Sequence, residues 1–179
     1  MGIKIFNPNI SFSKFSYLEN YIFSEVRNNF HSRCYLIPEE FFCIVIWKSN
    51  RAKGKIKNLL LKSGSLEPVI KNITKQIHDE KDNKKKLEIL IEQWKFRLPM
   101  ASSILTVLYP KDFSIYDYRV IEQLGLNDFK NRKNQIERYF SEFLPKVQEC
   151  GLGESLRDKD KYLWGKSFYN SLLRFLKDR

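Results

Sequence analysis

The sequence predicts an all-α protein, and three observations carry that prediction. Apolar residues recur at helical spacing along most of the 179 residues. Glycine (7) and proline (6) are few, which suits long helices better than a turn-rich sandwich. No stretch sustains the alternation of apolar and polar residues that marks a half-buried strand. With 42% hydrophobic and 15% aromatic residues, the chain has enough apolar surface to offset the entropy of ordering itself. Its length fits one helical domain over residues 1–179.

Residues 1–16 lack a clear period and read as an extended lead-in. From Tyr17 onward, Leu18, Tyr21, Ile22, Val26 and Phe30 share one helical face. Pro38-Glu39-Glu40 opens the next helix, since proline and acids both favour a first turn. Its body, from Phe41 to Trp47, is apolar nearly all round; that suits a buried helix or a strand, and the start signal favours helix. A basic run follows, with Lys48, Arg51, Lys53, Lys55 and Lys57. Leu59–Leu61, then Leu66, Val69, Ile70, Ile73 and Ile77, predict further helix, broken near Gly64 and resumed around Ser65 and Pro68.

Residues 78–86, HDEKDNKKK, read as a charged connection or solvated helix end, with Lys84-Lys85-Lys86 exposed. An amphipathic helix from Leu87 to Trp94 comes next. Pro99 fits the first turn of a helix through Leu108, which Pro110 stops. Asp117 is a natural N-cap for a helix through Leu124, and Gly125 ends it. Within residues 133–179, three helices are expected: Ile136–Val147, Glu154–Trp164 and Ser167–Lys177. Arg157, Asp160 and Lys161 occupy neighbouring helical positions and read as intrahelix ion pairs.

The net charge of +11, from 32 basic and 21 acidic residues, points to a polyanionic partner. No apolar run approaches the roughly 20 residues of a spanning helix, so no membrane partner is expected. The N-terminus carries no signal-peptide apolar block, and Phe6 stands where a myristoylation motif needs Ser or Thr. Cys34, Cys43 and Cys150 are widely spaced, odd in number and outside any C-x-x-C, as in reduced thiols of a cytoplasmic protein. With only His31 and His78 beside them, no metal site is expected, and no cofactor. Gly165-Lys166-Ser167 is not a phosphate-binding loop, because Asp160 stands where that motif needs glycine.

The stretch RLPMASSILTVLYPKDFSIYDYRV, residues 97–120, carries the most specific pattern. Ala101 lies on the helix that Leu98-Pro99 begins, and Asp117 follows 16 residues later. Apolar Phe113 and Ile115 precede this aspartate; Tyr118, Arg119 and Val120 follow it. The stretch resembles the catalytic core of the helix-hairpin-helix DNA glycosylase superfamily. Upstream, FFCIVIWKSNRAK resembles the first core helix of that family, so the likeness covers residues 39–125.

The resemblance implies a helical fold that holds a nucleotide extruded from duplex DNA, with Asp117 as the catalytic carboxylate. Trp47, Tyr116 and Tyr118 would shape the base pocket. Lys48, Asn50, Arg51, Lys53, Lys55, Lys95, Arg97 and Arg119 would contact the DNA. The hairpin glycines are absent, with Lys95, Phe96 and Arg97 in that region, so a different grip on phosphate is implied. Pro99 stands where lyase members carry an imine-forming lysine, and the four-cysteine iron–sulfur loop is missing. The implied reaction is therefore monofunctional hydrolysis of the N-glycosidic bond of a damaged or modified base.

Each signal also has a plainer reading. Asp117 serves as a helix cap, Trp47 as core, and the basic run as a solvated face. On those readings the chain is a non-catalytic nucleic-acid-binding module with a glycosylase-like fold, or a basic protein-interaction domain.

Overall fold

All regular structure in residues 12–126 and 134–177, which the computed structural model describes, is helical. A 3₁₀ turn (Phe12–Tyr17), α1 (Leu18–Tyr21), a π turn (Ile22–Val26) and α2 (Arg27–Arg33) follow one another without a break. The expected extended lead-in is thus helical over residues 12–16, and its first eleven residues lie outside the described ones. Cys34, with φ 67°, takes the left-handed conformation that closes α2.

The apolar run after Pro38 is a helix, α3 (Pro38–Ser49), with Phe41, Ile44 and Val45 fully buried. Its start is pinned by Glu40, whose carboxylate accepts the Ile37 N–H at 3.2 Å, accepts Asn29 Nδ2 at 2.8 Å and pairs with Arg33. A 3₁₀ turn (Asn50–Ala52) leads into α4 (Lys53–Leu61). Gly64, at φ 139°, makes the expected break before α5 (Leu66–Asp79), whose buried face is Val69, Ile70, Ile73, Thr74 and Ile77.

The charged connection is shorter than expected. The Asp82 side chain accepts the Lys85 N–H at 2.9 Å and so caps α6 (Asn83–Glu88), which a π turn (Ile89–Gln93) extends. Lys86, expected in solvent, is only 4% exposed. Its ammonium lies 5.0 Å from the Tyr109 ring centroid, and desolvation pulls its pKa below the ordinary lysine value against the charge of Glu80.

At the centre lies α7 (Leu98–Leu108), buried along its whole length except at Pro99. It packs against α2, α3, α6 and both earlier π turns. Beyond Pro110 and an irregular segment comes α8 (Tyr118–Gln123), capped by Asp117 and closed by Gly125 at φ 66°. The next helix is built from α9 (Gln135–Arg138), a π turn (Tyr139–Phe143) and α10 (Leu144–Glu149), with Pro145 in the first turn of α10.

The last two expected helices are one, α11 (Leu156–Lys177), of 22 residues. Gly165 lies inside it with open space around its Cα; a lone glycine costs a helix only about 1 kcal/mol, too little to break this one. α11 packs across α8 and α10. One cluster of buried apolar side chains runs from Tyr21 to Leu163. No helix among the described residues is long and apolar enough to cross a membrane.

Candidate active site

Residues Phe113–Tyr116 are buried yet belong to no helix, so their N–H groups need partners from elsewhere. The Ser114 N–H donates to the Tyr139 hydroxyl at 3.0 Å, and that hydroxyl donates back to the Ser114 carbonyl at 2.6 Å. The Tyr116 N–H donates to Ser102 Oγ at 2.9 Å. The Ile115 N–H supports the charge of the Asp160 carboxylate. Side chains from α7, α11 and the Tyr139 turn therefore hold three successive peptides. Side chains of the segment then go opposite ways: Ile115 and Asp117 line a cleft, whereas Tyr116 lines a separate groove.

The cleft has a volume of about 520 Å³, within the range of small-molecule sites. Indole rings of Trp47 and Trp164 form part of its wall. Its charged residues are Glu19, Asp117 and Asp160 against Lys48, Arg157 and Lys161, which balance formally. Lys48 Nζ donates to Asp117 Oδ2 at 2.6 Å, and the Arg119 N–H donates to Oδ1 at 3.1 Å. Both carboxylate oxygens are thus oriented, while the two side chains keep 15% and 17% exposure to the cleft.

Arg157 donates to Asp160 at 2.7 Å and to Glu19 at 3.0 Å, and Lys161 pairs with Glu19 at 2.8 Å. The Arg157 guanidinium also lies 5.4 Å from the Trp47 ring centroid, and Phe23 meets that ring edge-on at 5.5 Å. Burial pushes the Asp160 carboxyl above its usual range, against Arg157, the Ile115 N–H and Lys48. Burial also opposes ionisation of Glu19, but Lys161 and Arg157 outweigh it and hold that carboxyl below its ordinary value.

The groove is larger, about 1040 Å³, and has an apolar floor that includes Ile56, Leu59, Phe96 and Leu98. Lys55, Lys62, Lys95 and Arg97 line it; among the described residues none of the four has an ion-pair partner and no carboxylate lines the groove. Lys95 adopts φ 58°, a left-handed conformation that favours glycine.

The expected residues therefore divide. Asp117, Trp47 and Lys48 meet in the cleft, and Lys55, Lys95 and Arg97 meet in the groove. Tyr116 is not in the cleft: it is buried edge-on against Phe143 at 5.1 Å and faces the groove. Tyr118 and Arg119 lie outside the residues lining either cavity, and so do Asn50, Arg51 and Lys53. Asn50 accepts a hydrogen bond from Lys53 at 2.8 Å, so these two serve each other at the start of α4.

Glu19, Ile115, Arg157, Asp160, Lys161 and Trp164 were not expected at the site. The Arg157–Asp160 pair is intrahelical as predicted, whereas Lys161 reaches across to Glu19. A signal was present on α11: charged residues at 157, 160 and 161 share a face with Trp164, so charge and a large ring fall on one stripe. Nothing in the sequence marked Glu19.

Among the described residues no cluster of His, Cys, Asp and Glu has the makings of a metal site, and the three cysteines are free thiols. No family model matches the chain, and no curated protein or solved structure is detectably similar to it.

Proposed function

We propose that this protein is a DNA N-glycosylase that hydrolyses the bond between a damaged or modified base and its sugar, with Asp117 as the catalytic carboxylate. The observation that carries this reading is the Lys48–Asp117 pair, 2.6 Å apart in a cleft flanked by two indoles and balanced in charge. A cleft without net charge suits an uncharged base, whose edges hydrogen-bond to polar groups and whose faces stack on rings. Breaking the N-glycosidic bond sends its electron pair out with the base and leaves positive charge on the sugar. Asp117 stabilises that charge and accepts a proton from the water that adds to the sugar carbon. Lys48 Nζ orients the carboxylate and keeps further N–H groups for the departing base. The groove cations and the net charge of +11 supply the grip on phosphate.

The closed ion pair also fits the second reading, a non-catalytic nucleic-acid-binding module in which Lys48 and Asp117 tie α3 to the cap of α8. Incubation with DNA carrying normal, damaged and hypermodified bases, followed by alkali, separates the two. The enzyme produces alkali-labile sites, and Asp117→Asn loses them while still binding DNA. Salt-dependent binding with no such site on any DNA supports the module instead.

A further inference from the structure

We infer that the outer lip of the cleft is a stacking platform for a second, unpaired base, so that the preferred substrate is a nucleic-acid strand open around the target rather than a closed duplex. This rests on the glycosylase reading above and names its substrate class.

Three rings stand beside the cleft with large exposure: Tyr118 at 67%, Trp164 at 43% and Phe168 at 46%. Trp164 and Phe168 stack, with ring centroids 5.6 Å apart and ring planes within 5° of parallel. The Arg119 guanidinium sits among all three, 5.1 Å from the Tyr118 centroid and 5.4 Å from each of the others. It makes no ion pair among the described residues; its side-chain contact is a long one, 3.4 Å, to Ser171 Oγ.

The platform thus presents flat apolar faces around a positive charge that has no direct ion pair; Glu122, the carboxylate that feels it, is already engaged by Ser167 and Arg174. A single strand offers the complement, bases with free faces joined by phosphates. In a closed duplex, neighbouring bases cover those faces. One extruded base occupies the cleft, and Tyr118 and Phe168, which do not line it, need a second base already out of the stack. An apolar protein helix would use the rings but bring no anionic group into direct contact with Arg119.

The test measures fluorescence anisotropy with a labelled oligothymidylate, alone and annealed to its complement. Wild type is expected to bind the single strand roughly tenfold tighter than the duplex. Replacing both rings that lie outside the cleft, Tyr118→Ala with Phe168→Ala, should remove that preference, while Tyr118→Phe with Phe168→Tyr retains it and shows that the face itself is what binds.

Equal affinity for both DNAs overturns the inference, and so does a single-strand preference that survives loss of both rings. A change from dimer to monomer in sedimentation, with DNA binding untouched, overturns it in favour of a contact between copies of this chain. Binding to neither DNA contradicts the glycosylase reading itself.

Discussion

The cleft beside Asp117 and the groove beside Tyr116 draw on alternate residues of one segment, yet they treat charge differently. In the cleft each cation has a carboxylate partner: Lys48 with Asp117, Arg157 with Asp160 and Glu19, Lys161 with Glu19. In the groove Lys55, Lys62, Lys95 and Arg97 have none among the described residues. Paired charges give fixed hydrogen-bonding groups without a strong net field, which is what selection of a neutral base requires. Unpaired cations over an apolar floor attract a phosphate chain regardless of sequence. On the proposed reading, recognition and grip fall to separate faces of this protein.

Neutralising the groove should have the largest effect. Replacing Lys55, Lys62, Lys95 and Arg97 together by alanine should weaken DNA binding on the order of a hundredfold at moderate salt, and flatten the dependence of log affinity on log salt by about three. Base release from saturated complexes should not change. An unchanged salt slope would remove the groove from the DNA interface.

A smaller effect follows from the segment that feeds both cavities. Tyr139→Phe deletes the hydroxyl that satisfies both the N–H and the carbonyl of buried Ser114. Leaving those groups unpaired should cost about 2–4 kcal/mol and lower the Tm by roughly 4–16 °C. Turnover should fall with it, because Ile115 and Asp117 lose their anchorage; thermal melting and base release under saturating DNA read the two effects separately.

The smallest effect concerns Glu19. Its folded carboxyl titrates below the ordinary 4.5, so the unfolded chain binds the proton more readily. The tie from α1 to α11 is therefore fully present above pH of about 4.5 and is lost as pH falls through the folded value. Glu19→Gln should flatten that part of the acid limb, shifting the Tm near neutral pH by about a degree or two, since the pair is partly exposed.

Much of the fold was legible because local signals agreed: Pro38, Gly64, Pro99, Pro110, Asp117 and Gly125 each mark the boundary they predict. The last two expected helices are one because a long, otherwise helical run tolerates a glycine such as Gly165, and Lys86 misled because its burial depends on Tyr109, a residue far along the chain. The π turns at Ile22, Ile89 and Tyr139 have no composition of their own and left no trace in the apolar spacing.

Half of the site was legible. Trp47, Lys48 and Asp117 lie at places where a resemblance and a change from apolar to polar residues coincide. The other wall comes from α1 and α11, whose charged residues read locally as ordinary surface helix. Only the packing of α11 over α8 turns Asp160, Arg157 and Trp164 into parts of a cleft.

Mass spectrometry of the small molecules released from DNA carrying candidate modified bases tests the central claim most directly. One free base is expected for each abasic site, with the strand intact until alkali is added and no base released by Asp117→Asn. Release of a nucleotide, strand cleavage without alkali, or equal release by Asp117→Asn would contradict it.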